Sequence, residues 1–141
     1  MSTLEKIQKD IANELLCCAD FTDISIWCNN SYCTKHNSKN QIEIIVGYPL
    51  PITCAEKSNN VFFTNVEIPV EVSYLKSAMQ SPIKPTAILE SICKRLHNKK
   101  FFSSEKIGKL LLRNSKPFEA SEISNTRESV KIYFNVNGVL L

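Results

Sequence analysis

Residues 65–75 read NVEIPVEVSYL, and this stretch limits the fold more than any other part of the chain. Val66, Ile68, Val70, Val72 and Tyr74 alternate with Asn65, Glu67, Pro69, Glu71 and Ser73. Successive strand side chains point to opposite faces, so the alternation predicts a strand with one buried and one wet face. Pro69 falls on the wet register and has no amide hydrogen to give, which puts the strand at a sheet edge or a bulge at Pro69.

A buried strand face needs partners, and the flanking sequence offers them. Leu4, Ile7, Ile11 and Leu15 recur at three- and four-residue intervals, predicting a helix from Ser2 to about Cys18, with Ser2 and Glu5 spaced as a capping box. In TAILESICKRLHNKK, residues 86–100, Ile88, Leu89, Ile92, Cys93 and Leu96 share one side, which predicts a second long helix. Pro85 suits its first turn, and Lys94, Arg95, Lys99 and Lys100 gather toward the end where the helix dipole favours cations. ISIW and QIEIIV read as two strands of a hairpin whose tip is the polar run between them, and SVKIYFNV as a further strand. KLLLRN is either a short strand or a last helical turn, FEASEISNTRE reads as a polar loop, and Asn137–Gly138 as a turn near the end. The simplest packing is α+β: a mixed or antiparallel sheet of about four to five strands, with two main helices on its apolar face.

With 141 residues, 43% apolar and 22% charged, the chain is expected to form a single domain, 1–141. A net charge of +3, from 17 basic against 14 acidic side chains mixed along the sequence, is too mild to imply nucleic acid by itself. No apolar run reaches the roughly 18 to 20 residues that cross a bilayer, and acidic residues interrupt the N-terminal segment, so the chain reads as cytosolic, with no membrane contact. Its six cysteines are then expected as thiols. Three glycines nearly exclude a phosphate-cradling loop, and neither GxGxxG nor a P-loop is present.

Two groups of residues could carry chemistry. Cys28, Cys33 and His36, in WCNNSYCTKHNSKN, offer three soft ligands, but a structural zinc site usually takes four, often from tighter pairs. A polar hairpin tip explains the same run. Cys93 and His97 lie one helical turn apart, as a thiolate and base would, yet Cys93 also belongs to the apolar stripe, where a cysteine packs as a small hydrophobe. Glu67 and Glu71 share a strand face about 13 Å apart, too far to work as a catalytic pair. No catalytic residue, cofactor or metal is therefore expected. KRLHNKK followed by Phe101 and Phe102 supports an alternative, a small cytosolic nucleic-acid-binding module using the basic helix end.

The run EIPVEVSYLKSAMQSPIKPTAILESICKRLHNKKF, residues 67–101, resembles the centre of phage tail terminator and tail-completion proteins. In that family an N-terminal helix leads to strands, a VEVSY-like strand enters a loop, a helix ending in an LH pair follows, and a strand like VKIYFNV closes the sheet. The likeness spans about residues 2–136 as an order of elements. It implies a non-enzymatic structural protein of a phage or prophage tail, forming a ring expected to have six subunits that caps the tail tube and prepares head joining. Its partners would be further copies of itself, the tail tube protein and head–tail connector proteins, with no nucleic acid as a specific ligand. It would sit in the host cytoplasm during assembly and then in the virion tail. Interface candidates under this reading are Tyr32, Lys35 and His36 on the polar tip, Glu67 and Glu71 on the wet strand face, and Lys94, Arg95 and Lys99 at the basic helix end.

Overall fold

A computed structural model describes residues 2–22, 24–28, 31–35, 41–80, 84–100 and 108–141. Helix α1 spans Thr3–Leu16, and the Ser2 hydroxyl accepts the Glu5 amide at 3.1 Å, satisfying one of the donors left open at a helix start. Helix α2 spans Pro85–Leu96 with its proline in the first turn. The strands are β1 (Ser25–Cys28), β2 (Ser31–Lys35), β3 (Ile42–Val46), β4 (Leu50–Ser58), β5 (Val61–Leu75), β6 (Leu110–Leu112), β7 (Phe118–Glu122) and β8 (Arg127–Leu140).

All eight join one sheet in the order β2-β1-β3-β5-β8-β6, with β4 also pairing β5 and β7 also pairing β8. Among the described residues only β1 and β3 run parallel, Ser25 to Cys28 matching Glu43 to Val46; every other strand pair there is antiparallel. Both helices pack on one face, where Val66, Ile68, Val70 and Val72 of β5 and Ile132, Phe134 and Val136 of β8 meet Ile7, Ile11 and Leu15 of α1 and Ile88, Ile92 and Leu96 of α2.

The long pair β5–β8 is in register from Phe63↔Leu140 to Leu75↔Arg127. On each flank its outer partner changes partway along. Residues 70–74 of β5 pair with β3 and residues 61–67 with β4; residues 128–132 of β8 pair with β7 and residues 134–136 with β6. The change falls at the opposed residues Pro69 and Tyr133. The Tyr133 amide and carbonyl turn outward to Pro117 and Arg113, and the Pro69 carbonyl turns outward to accept the Gly47 amide at 2.8 Å. The missing proline N–H therefore faces the gap between the end of β3 and the start of β4, where no ladder bond is due. Pro69 thus sits on an inner strand, neither at an edge nor at a bulge.

The expected four to five strands understate the sheet. The additional strands β4 and β7 are exposed along their whole length, so no apolar alternation betrays them. ISIW and QIEIIV are not a hairpin but the parallel neighbours β1 and β3, and part of the expected tip, Ser31–Lys35, is itself a strand on the outer flank of β1. KLLLRN contains the short strand β6. Asn137–Gly138 is no turn: β8 runs through it, and the register jumps between Thr64↔Val139 and Val66↔Val136, with Gly138 at φ 78° making the bulge.

Gln8, on α1, is buried and donates from its amide nitrogen to the carbonyls of Val46 and Gly47 at 3.0 and 3.2 Å, fixing the helix to the end of β3. Gly47 is pressed against the proline: a Cβ there would lie 2.6 Å from Pro69 Cγ and 2.9 Å from its carbonyl oxygen. Gly47→Val should therefore cost about 1–3 kcal/mol, read as a lower urea midpoint at unchanged slope. An unchanged midpoint would mean that the crossing is loose.

Candidate functional site

The sheet face turned away from the helices carries the odd-numbered residues of β5. Glu67, the first sequence candidate there, pairs with Arg113 just after β6, Oε2 to Nη1 at 3.1 Å. The same guanidinium donates to the carbonyls of Ser115 and Lys116 and lies 4.1 Å over the Tyr133 ring. Glu71 stands in register between Ile45 and Lys131 and is half-buried. Further along this face Arg127 donates to the Ser73 hydroxyl at 2.8 Å and pairs with Glu43 at 3.5 Å.

The basic end of α2 is mostly committed within the chain. Glu14 of α1 is approached by Arg95 Nε at 2.8 Å and by Lys99 Nζ at 3.1 Å, and the three tie the two helices together. Lys94 alone of the three cationic candidates points to solvent outside this cluster. Tyr32 and Lys35 lie on β2, whose side chains are outside the described residues, as is His36. Of the described candidates, Glu67 and Glu71 lie on β5 and Lys94, Arg95 and Lys99 at the end of α2, in two separate places.

The thiol readings separate clearly. Cys28 is buried in the core beneath the helices, and Cys33 and His36 fall outside the described side chains. Among the described residues no three His, Cys, Asp or Glu side chains gather as metal ligands would. His97 ends α2 and accepts the Leu112 amide on Nδ1 at 3.0 Å, so it holds β6 to the helix end. Burial, with the Glu90 carboxylate second, pushes the Cys93 thiol above its ordinary value, the opposite of nucleophile activation.

Two apolar surfaces were not foreseen. The first is the wing formed by β4, the start of β5 and the end of β8, which exposes Leu50, Ile52, Phe62, Phe63 and Leu141. The second is an open groove of ≈ 580 Å³ between α2 and β6–β8, lined by Leu89, Cys93, Leu112, Phe118 and Val130 with Thr86, Glu90 and Lys94. It exists because α2 packs over β5 and β6 and leaves β7 uncovered, with Phe118 49% exposed. Exposed apolar areas of this kind mark interaction surfaces more often than chance. The uncovered Phe118, nine residues before the start of β8, was the available sequence signal.

No family model and no curated protein matches the chain by sequence. Its fold does match solved structures. One is a chain from the virion of a native gene transfer agent particle, with TM-score 0.72 and 8% identity over 97% of this chain and 98% of the other. A second matches with TM-score 0.60 and 10% identity over 97% and 95%. At such identities the likeness establishes a common fold over nearly the whole chain. No helix among the described residues is long and apolar enough to cross a membrane.

Two measurements check this site. Glu14→Gln should lower stability by about 1 kcal/mol at low salt and by less in 1 M NaCl, because it releases two partly exposed cations; a salt-independent loss would point to packing instead. On timed alkylation at pH 8, the exposed Cys54 should react well before Cys93 by mass mapping. Faster labelling of Cys93 would revive an activated thiol.

Proposed function

We propose that this chain is a non-enzymatic structural protein of a phage or prophage tail, of the ring-forming tail-terminator type, which caps the tail tube and prepares it for head joining. The observation that carries the reading is the fold shared end to end with a component of a gene transfer agent virion. The tail position and the terminator role rest on the resemblance in order of elements over about residues 2–136, centred on residues 67–101, and a ring of six subunits is the corresponding expectation. Its partners are then other copies, the tube protein and the head–tail connector, first in the host cytoplasm and afterwards in the virion tail.

The physical design suits such a role. A ring subunit needs two different complementary patches, since a head-to-tail contact closes only if each subunit offers both halves. Glu67, Arg95 and Lys99 are paired inside the chain, so their part in a neighbour contact would require exchange of those pairs. Among the described residues no ion pair engages Glu71 or Lys94, and they stay as contact candidates together with Tyr32, Lys35 and His36.

Removal of the gene from a producing cell tests the function. Electron microscopy should then show heads and tails accumulating unjoined, or tails of uneven length, with normal particles restored by the gene in trans. Normal joined particles in its absence would overturn the tail-terminator reading.

A further inference from the structure

We propose that the β4–β5 wing of one copy seats in the α2–β7 groove of a second copy, with Phe62 entering the groove and Glu56 meeting Lys94. The biological purpose of this contact rests on the assembly reading above. The contact itself is argued from the two surfaces.

The wing cannot fill its own groove. It lies on the β3 side of the β5–β8 pair, level with residues 61–67, whereas β7 lies on the far side, level with residues 70–74. Strands advance about 3.3 Å per residue and sit about 4.8 Å apart, so Phe62 on β5 is roughly 25–30 Å away along the strands and two strand spacings across. The groove must be filled by another molecule if it is filled by a wing.

Chemistry favours a second copy. Phe62 shares the helix-side face of the wing with its cross-strand neighbour Glu56, because paired residues point the same way. Across the groove, Glu90 and Lys94 lie four apart on α2, beside the apolar floor. An aromatic side chain flanked by a carboxylate therefore faces an apolar slot flanked by an ammonium. Among the described residues, no ion pair engages Glu56, Glu90 or Lys94 within the chain, unlike Glu14, Glu67 and Glu43.

The alternative, addition of a strand to the outer edge of β4, is obstructed. Pro51 withholds an amide, and the register shifts at 51/53 and 56/58 bend the edge, both devices that block edge-to-edge pairing. The wing is thus built to dock through side chains. A Phe ring alone supplies about 150–250 Å² of burial, and the flanking wing residues bring the contact toward the roughly 800 Å² per partner of a stable interface.

Sedimentation velocity and native mass spectrometry of the full chain test the contact, with folding of each variant checked by circular dichroism. The wild type should associate with rising concentration, while Phe62→Glu and Phe118→Glu should each stay monomeric. Their equimolar mixture should give a heterodimer and nothing larger, since one intact wing and one intact groove remain. Lys94→Glu should weaken association at least about tenfold, and adding Glu56→Lys should restore it. A wild type monomeric up to about 1 mM, either variant assembling normally, or a mixture without heterodimer would overturn the contact. So would loss of tail joining in the variants with self-association unchanged, which would assign both surfaces to a different tail protein. Intact self-association in a chain whose deletion leaves tails normal would keep the contact and discard the tail reading.

Discussion

The structure depends on the antiparallel pairing of β5 with β8. Two strands of 15 and 14 residues, paired along their length with one register jump at Gly138, make a long ladder that no single further strand covers on either flank. Each flank is instead covered by two, and both changes of partner fall at the same level, Pro69 opposite Tyr133. Proline is tolerated on this inner strand because its nitrogen points into the gap where β3 has ended. Gly47 is demanded there for the complementary reason: the chain leaving β3 must pass within contact of the proline ring. A single geometric event in the centre therefore marks where β3 and β6 end and where β4 and β7 begin.

The two faces of that ladder then divide the labour. The helix face is dry and apolar, and its stability comes from burial of the residues that alternate along β5 and β8. On the opposite face, charged side chains are arranged as local pairs that span strand boundaries: Arg113 joins the end of β6 to β5, and Arg127 joins β8 to β3. Partly exposed pairs of this kind contribute little singly. Their consequence is geometric, since each holds a flanking segment against the central pair. Arg113 is held further by the carbonyls of its own turn, where Lys116 adopts φ 47°.

This division explains what the sequence could reveal. Both helices, with Ile7, Ile11 and Leu15 and with Ile88, Ile92 and Leu96 inward, were legible because each is half-buried and so shows a 3.6-residue period. The cores of β3, β5 and β8 were legible for the corresponding two-residue reason. Strands β4 and β7 are wet on both faces, and nothing local separates PITCAEKS or FEASE from a loop; only pairing with a long neighbour makes them strands. The parallel match of β1 to β3 was hidden because adjacency in sequence favours a hairpin and the intervening β2 takes the hairpin position. Charged candidates were chosen by exposure expected from pattern, but Glu67, Arg95 and Lys99 have partners distant in sequence that no spacing rule could name. The wing and groove were missed because they depend on which strands the helices fail to cover.

The same change of partner that hides β4 and β7 from the sequence gives the molecule its polarity. Because the partner changes at one level on both flanks, β4 projects at one end of the ladder and β7 is left bare at the other. A contact joining two such unlike corners closes in one of two ways: reciprocally, as a two-fold pair in which each wing enters the other copy's groove, or head to tail, with one wing and one groove left open at the ends. The head-to-tail form propagates from copy to copy, ending in a ring where the rotation per step closes and in a filament where it does not. The rotation is in turn set by the angle between wing and groove, which the twist of the β5–β8 pair fixes through the rigid ladder. A substitution at the Pro69–Gly47 crossing that left the chain folded would thus act on assembly geometry without touching either contact surface.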